Sequence, residues 1–148
     1  MPNGGWVNTE EVEILQWYFG NQPKTPPPTL YVALCTAEPN DDGTFVEMAW
    51  GGATPYARQP IAANEWDILG AAEGDPSFIA NANAITFGTS NTAAGTATHF
   101  ALCTAASGAT MVFSGKIVQP PNGLVIDIGT QPQFDAGALR PQLGSDTP

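Results

Sequence analysis

The sequence predicts a mainly β fold, a β-sandwich or squat barrel of about seven short strands with one N-terminal α-helix. Three observations carry that expectation. First, a strand-like heptamer occurs twice, as Tyr31-Val32-Ala33-Leu34-Cys35-Thr36-Ala37 and as His99-Phe100-Ala101-Leu102-Cys103-Thr104-Ala105. Both copies are apolar, free of Gly and Pro, and followed by turn chemistry, which reads as buried strand. Second, 16 Gly and 14 Pro punctuate the 148 residues, so extended runs are short. Third, residues 8–19 form the best helix in the chain. The heptamers are read as two central strands, in one sheet or in two facing sheets; chance likeness of two alanine-rich core strands is the plainer alternative.

The elements follow in order. Asn8 is placed to cap the helix, Glu11 three residues on would complete a capping box, and Val7 with Val12 would form a hydrophobic staple. Glu10, Glu11 and Glu13 suit the positive end of the helix dipole, and Gly20 is a ready C′ stop. Val12, Leu15, Tyr18 and Phe19, widened by Ile14 and Trp17, make an apolar face that needs a cover. Packing on the helix's own domain is the expected cover, and a neighbouring subunit is the alternative. Pro23, Pro26, Pro27 and Pro28 then force an extended lead into a strand over 29–37. An acidic turn follows, then a strand at 45–48. A strand at 56–61 belongs at a sheet edge because Pro60 cannot donate to a ladder. Residues 65–76 read as acidic loop carrying Trp66, Ile68 and Leu69. Further strands are expected at 84–87, 99–105, 110–118 and 124–128, with 130–139 as strand edge or loop. Residues 88–98 read as turn. One domain over 1–139 and an extended arm over 140–148 complete the organisation.

Charge and cysteine content narrow the function classes. Fourteen acidic residues against four Lys and Arg give a net charge of −10, which disfavours nucleic acid and anionic membrane as partners. No apolar run reaches membrane-spanning length, and the first residues lack the basic start and apolar core of a signal peptide, so cytoplasmic synthesis is expected. Cys35 and Cys103 then read as buried thiols, not a disulfide. With the single His99 they lack the fourth ligand and local spacing of a zinc site. A Cys/His nucleophile pair is disfavoured because mid-strand thiols in apolar surroundings stay protonated. Asp41, Asp42 and Gly43 make a solvated turn, lacking the remaining oxygen ligands of a calcium loop. Glu65 and Asp67 are a remote acid–base pair. No enzyme activity and no cofactor are expected.

The order of the segments resembles a family of bacteriophage virion proteins, the capsid cement or decoration and tail-fibre-like β-sandwich proteins. The resemblance rests on the helix ending Trp17-Tyr18-Phe19-Gly20, the Pro-led strand Leu30 to Pro39, and Gly51-Gly52 with Tyr56-Ala57-Arg58. It continues through Ile85-Thr86-Phe87, Thr98 to Leu102, Ser114-Gly115 and the close Phe134 to Leu139. It implies a virion structural protein built as a symmetric oligomer. A chain of this size without heptads or collagen-like triplets suits a cement protein on the capsid exterior better than a fibre. Its partners are then the major capsid protein and itself, a homo-trimer ahead of a dimer. The alternative is a tail-associated host-recognition or carbohydrate-binding module, with Trp50 and Trp66 stacking on sugars. Expected oligomer or shell contacts are Trp6, Trp17, Tyr18, Trp66, Arg140 and Leu143. Leu34, Cys35, Phe100, Leu102, Cys103 and Phe113 are expected in the core. Arg58 joins them there, paired with a carboxylate.

Overall fold

The computed structural model describes residues 4–69, 78–118 and 123–141. The protein is mainly β, with one α-helix and a sandwich-like arrangement of antiparallel sheets. The principal sheet has five strands in the order β1 (Gly4–Trp6), β9 (Met111–Lys116), β8 (His99–Cys103), β2 (Thr29–Cys35) and β3 (Gln59–Ala62). The second layer is three two-stranded ladders: β4 (Trp66–Leu69) with β5 (Phe78–Asn81), β6 (Ile85–Thr86) with β11 (Gln133–Phe134), and β7 (Gly95–Ala97) with β10 (Leu124–Ile126). Gly and Pro shorten the strands as expected, and the described residues carry eleven strands where about seven were counted from apolar patterning.

The two heptamers are hydrogen-bonded neighbours. β2 and β8 run antiparallel with Tyr31 opposite Cys103, Val32 opposite Leu102, Ala33 opposite Ala101, Leu34 opposite Phe100 and Cys35 opposite His99. Each repeat position therefore meets its mirror position across a local two-fold through the Ala33–Ala101 pair. Period-two alternation then sorts side chains by size. Val32, Leu34, Phe100 and Leu102 enter the main core with Phe87, Ile126, Phe134 and Leu139 of the second layer. Ala33, Cys35, Ala101 and Cys103 line the opposite face, under Val7, Met111, Tyr31 and Phe45. A bulge keeps β9 in step with this division: Leu102 pairs with Phe113 and Cys103 with Met111, so Val112 is the extra residue. Met111 thereby joins the small-residue face and Phe113 the main core. Gly115 lies opposite Phe100, and a Cβ there would come within 2.5 Å of the Phe100 ring.

β3 takes the sheet edge that Pro60 requires. Past its end, residues 45–48 continue the edge of β2: Thr36 N–H donates to Val46 C=O (3.0 Å) and Met48 N–H to Leu34 C=O (2.8 Å). Residues 66–69, expected as loop, form β4 because their partner strand lies across a segment too polar to read as half of a hairpin. Within the stretch expected as turn, 95–97 forms β7 against β10.

Helix α1 (Asn8–Phe19) has the expected bounds and different ends. Val7 is buried in the small-residue face, and its carbonyl accepts the first helical bond, from Glu11 N–H (3.1 Å). The cap is therefore Val7 and not Asn8, and no side chain caps the helix. The Asn8/Glu11 box does not form; Asn8 N–H instead donates to Asp41 C=O (3.1 Å). At the other end Asn21, not Gly20, takes the left-handed conformation, with φ 52°. The expectation that α1 buries its apolar face on its own domain is overturned, since none of its residues is buried. Val7 has already closed the small-residue face, so the chain leaves the sheet edge as helix with nothing left to cover.

Overfilling tests the size division. Ala101→Leu is expected to lower stability by about 1–3 kcal/mol, read as a shift in urea midpoint at unchanged slope. An unchanged midpoint would mean that this face has spare volume.

Candidate functional site

Two surfaces command attention, a buried polar anchor and an exposed helix face. The anchor is Arg58, 6% exposed. Its Nε and Nη2 donate to the two carboxylate oxygens of Glu47 at 2.9 and 2.7 Å, a bidentate pair. Nη1 donates to Ala105 C=O (2.9 Å) and Nη2 to Gly108 C=O (2.8 Å), and the guanidinium lies 5.3 Å from the Phe45 ring centre. Glu47 Oε1 also accepts from Tyr56 Oη–H (2.7 Å), and Tyr56 Oη accepts from Leu34 N–H (3.0 Å). The Glu47 hydrogen bonds raise the Arg58 pKa above its ordinary value, and burial with the same carboxylate raises that of Tyr56. This constellation ties the β8–β9 turn to the segment before β3 and satisfies the β2 backbone where β3 ends.

The thiols sit beneath this anchor. Burial pushes Cys35 up to about 12 and Cys103 up to about 11, and both are free. His99 is the cross-strand neighbour of Cys35, and burial lowers its pKa; its Nδ1 lies 2.9 Å from Thr98 Oγ1. Burial thus favours the neutral thiol and the neutral imidazole together, the reverse of an activated pair. Among the described residues no three His, Cys, Asp or Glu side chains cluster as metal ligands. No helix among them is long and apolar enough to cross a membrane. A shallow cleft beside β3 is lined by Gln59, Pro60, Glu65, Asn81, Asn83 and Thr86. Its carboxylate already accepts from Ala62 N–H (2.8 Å). Its Asn81 amide bonds the Asn83 and Asp135 carbonyls and Leu139 N–H.

The exposed surface is α1. Val12 is 51% exposed, Leu15 56%, Trp17 51%, Tyr18 73% and Phe19 79%. Glu10 and Ile14, half-buried, mark the side toward the domain, where Lys24 bridges Glu10 and Glu13. Trp17, Tyr18 and Phe19 stack edge to face at the helix end.

The remaining expected contact residues divide. Trp6 is half-buried and packs edge to face on Phe113 (5.4 Å) in the main core. Trp66 packs on the same core, and Trp50, expected in an exposed loop, is buried. Arg140 is exposed and its Nε donates to Gly137 C=O (2.7 Å). Of the arm, Pro141 C=O still accepts from Ile79 N–H (3.1 Å); Leu143 and the rest lie outside the described residues. Leu34, Cys35, Phe100, Leu102, Cys103, Phe113 and Arg58 are all buried. Sequence reasoning missed Asn81, which holds the 135–139 stretch, because a lone Asn before a turn carries no burial signal.

A family model described as "Podophage GP4 fiber I protein gp80" matches residues 5–142, nearly the whole chain. The chain belongs to that family. No curated protein matches it. This gp80-family protein is accordingly a structural component of the phage virion, as the resemblance implied.

Two outcomes test the anchor. Glu47→Ala strands a buried guanidinium and is expected to cost about 2–4 kcal/mol. That is below a fully buried pair because the Glu47 side chain keeps 27% exposure. Adding Arg58→Met should recover part of the loss in a double-mutant cycle read by denaturant unfolding. The thiols set an alkaline limit. Their folded pKa values lie above the unfolded value of 9.0, so the unfolded chain loses its thiol protons first. Their contribution is complete below pH 9 and declines as pH rises toward 11–12. Unfolding curves across pH 8–11 should show that decline, and Cys35→Ala/Cys103→Ala should reduce it, leaving the part due to buried Tyr56.

Proposed function

We propose that this gp80-family protein serves the particle by adhesion and performs no chemistry, and that the outward face of α1 is its contact surface. The observation that carries the reading is a helix with five large apolar side chains at least half exposed, on a domain whose core is complete without them. A contiguous patch of that kind marks an interaction site, and aromatic residues are enriched in interface cores. Each contact formed only in the assembled particle stabilises that assembly by mass action. The acidic surface suits docking on a basic protein and offers little to nucleic acid or membrane.

Two placements are in view. The family's description names a fibre protein, which supports a subunit of a tail-associated fibre. A capsid cement protein, bridging major capsid subunits on the capsid exterior as a homo-trimer, is supported by the sandwich-like β fold and by a sequence without sustained heptads or collagen-like triplets. A carbohydrate-binding module has less support, because the rings of Trp50 and Trp66 are engaged within the domain.

Phage carrying Tyr18→Glu/Phe19→Glu are expected to yield particles depleted of this protein, while Val125→Glu, on a different exposed site, leaves its copy number unchanged. Full incorporation of the double variant would overturn the reading. Cryo-microscopy of the intact particle separates the placements by whether subunit density lies on the fibre or on the capsid lattice.

A further inference from the structure

The exposed surface of α1 changes character along the helix. The first half carries Glu10, Glu11 and Glu13, and the last turn carries Trp17, Tyr18 and Phe19. Lys24 answers Glu10 and Glu13. Glu11 is exposed and has no cation beside it among the described residues. Glu11, Leu15 and Tyr18 follow a four-three spacing, so carboxylate and phenol share one face about 10 Å apart. The helix end is negative as well, with no basic residue in its last turn. Gln16 C=O accepts from Gly20 N–H (2.9 Å) and Gln22 N–H (3.1 Å). No backbone N–H among the described residues reaches the carbonyls of Trp17, Tyr18 or Phe19. Those carbonyls form the negative pole of the helix dipole. The three rings beside them meet edge to face, at 6.2 and 5.0 Å, and aromatic faces are negative too.

We infer that the occupant of this surface is a basic segment of another virion protein, with one cation on the aromatic trio and a second beside Glu11. The inference rests on the reading of α1 as the contact surface and names the chemistry of its partner. A purely apolar partner would bury Glu11 and the three helix-end carbonyls without partners, at the cost of desolvating each. An anionic partner is repelled by a chain of net charge −10. A second copy has few cations to offer. Its Lys24 is held by Glu10 and Glu13, its Arg58 is buried on Glu47, and its Arg140 donates to Gly137 C=O. An arginine of a different protein meets every feature. Its planar guanidinium stacks on ring faces, donates to carbonyls and carboxylates, and is more weakly hydrated than an ammonium.

The test is competition for incorporation in cells expressing wild-type and variant chains together, read as their ratio per particle. Trp17→Leu/Tyr18→Leu/Phe19→Leu keeps apolar side chains but removes the ring faces, and is expected to be outcompeted about tenfold. Trp17→Phe/Tyr18→Phe, which loses size but keeps the faces, should lose far less. Glu11→Lys should be outcompeted as well. No residue of α1 is buried, so all three should unfold at the wild-type urea midpoint. A benzophenone amino acid in place of Leu15 should capture, in the intact particle, a peptide of another protein containing Arg or Lys. Even competition by the leucine variant or by Glu11→Lys overturns the inference. So does an equal loss in the phenylalanine variant, or a captured peptide that lacks Arg and Lys or comes from a second copy. The two readings fail separately. A leucine variant that competes evenly while Tyr18→Glu/Phe19→Glu drops out refutes the cation and leaves the particle contact standing.

Discussion

The antiparallel pairing of β2 with β8 is the constraint on which the rest of the molecule depends. Because Ala33 faces Ala101 at its centre, the two copies of one short sequence place Val32, Leu34, Phe100 and Leu102 on one face and Ala33, Cys35, Ala101 and Cys103, with Tyr31 beside them, on the other. A slip of one residue would turn Val32 and Leu34 away from the partners they meet in the main core. The second layer is built to this division. Ile85, Ala97, Ile126 and Phe134 reach the large-residue face from separate short ladders, and Phe87 from just past β6; no continuous sheet is needed because each ladder contributes only a few side chains.

The small-residue face has the opposite requirement. Ala33, Cys35, Ala101 and Cys103 leave depth for a thin roof of single residues, Val7, Phe45 and Met111, and for the guanidinium over Phe45. A buried ion pair is weak support for stability taken alone. Its value here is positional: Arg58 donates to the carbonyls of Ala105 and Gly108, while Glu47 holds Tyr56, whose hydroxyl accepts from Leu34 N–H. One charged group thereby holds the turn after the second heptamer in fixed relation to the end of the first.

Much of this was legible in the sequence, for identifiable reasons. The heptamers, the helix bounds, the edge position of Pro60 and the burial of Arg58 follow from periodicity, from a missing donor and from the scarcity of cations. What escaped was set by distant chain. β4 and β7 consist of residues with weak strand preference that pair because a partner arrives from elsewhere. The Asn8 cap lost to Val7, whose burial under the sheet outweighed a side-chain hydrogen bond worth about 1 kcal/mol. Of the contact residues expected from aromatic character, Trp6 and Trp66 went to the core while Trp17 and Tyr18 stayed outside. Composition cannot make that distinction, since an indole serves either place. Val12, Leu15 and Phe19 were visible as an apolar face, but only the structure shows that face unspent.

The exposure of α1 is a consequence of how the core closes. Val7 is the last residue of the N-terminal segment that the small-residue face can accept, and it is fully committed there. Once its carbonyl becomes the first helical acceptor, the direction of the helix is set by the sheet edge and not by its own apolar face. Folding therefore exerts no pull on Val12, Leu15 or Phe19, and polar residues there would leave the domain core untouched. Large apolar groups held in water raise the risk of non-specific association. A net charge of −10 opposes that risk over the surface as a whole. Large apolar residues where the fold has no use for them are what an assembly contact requires.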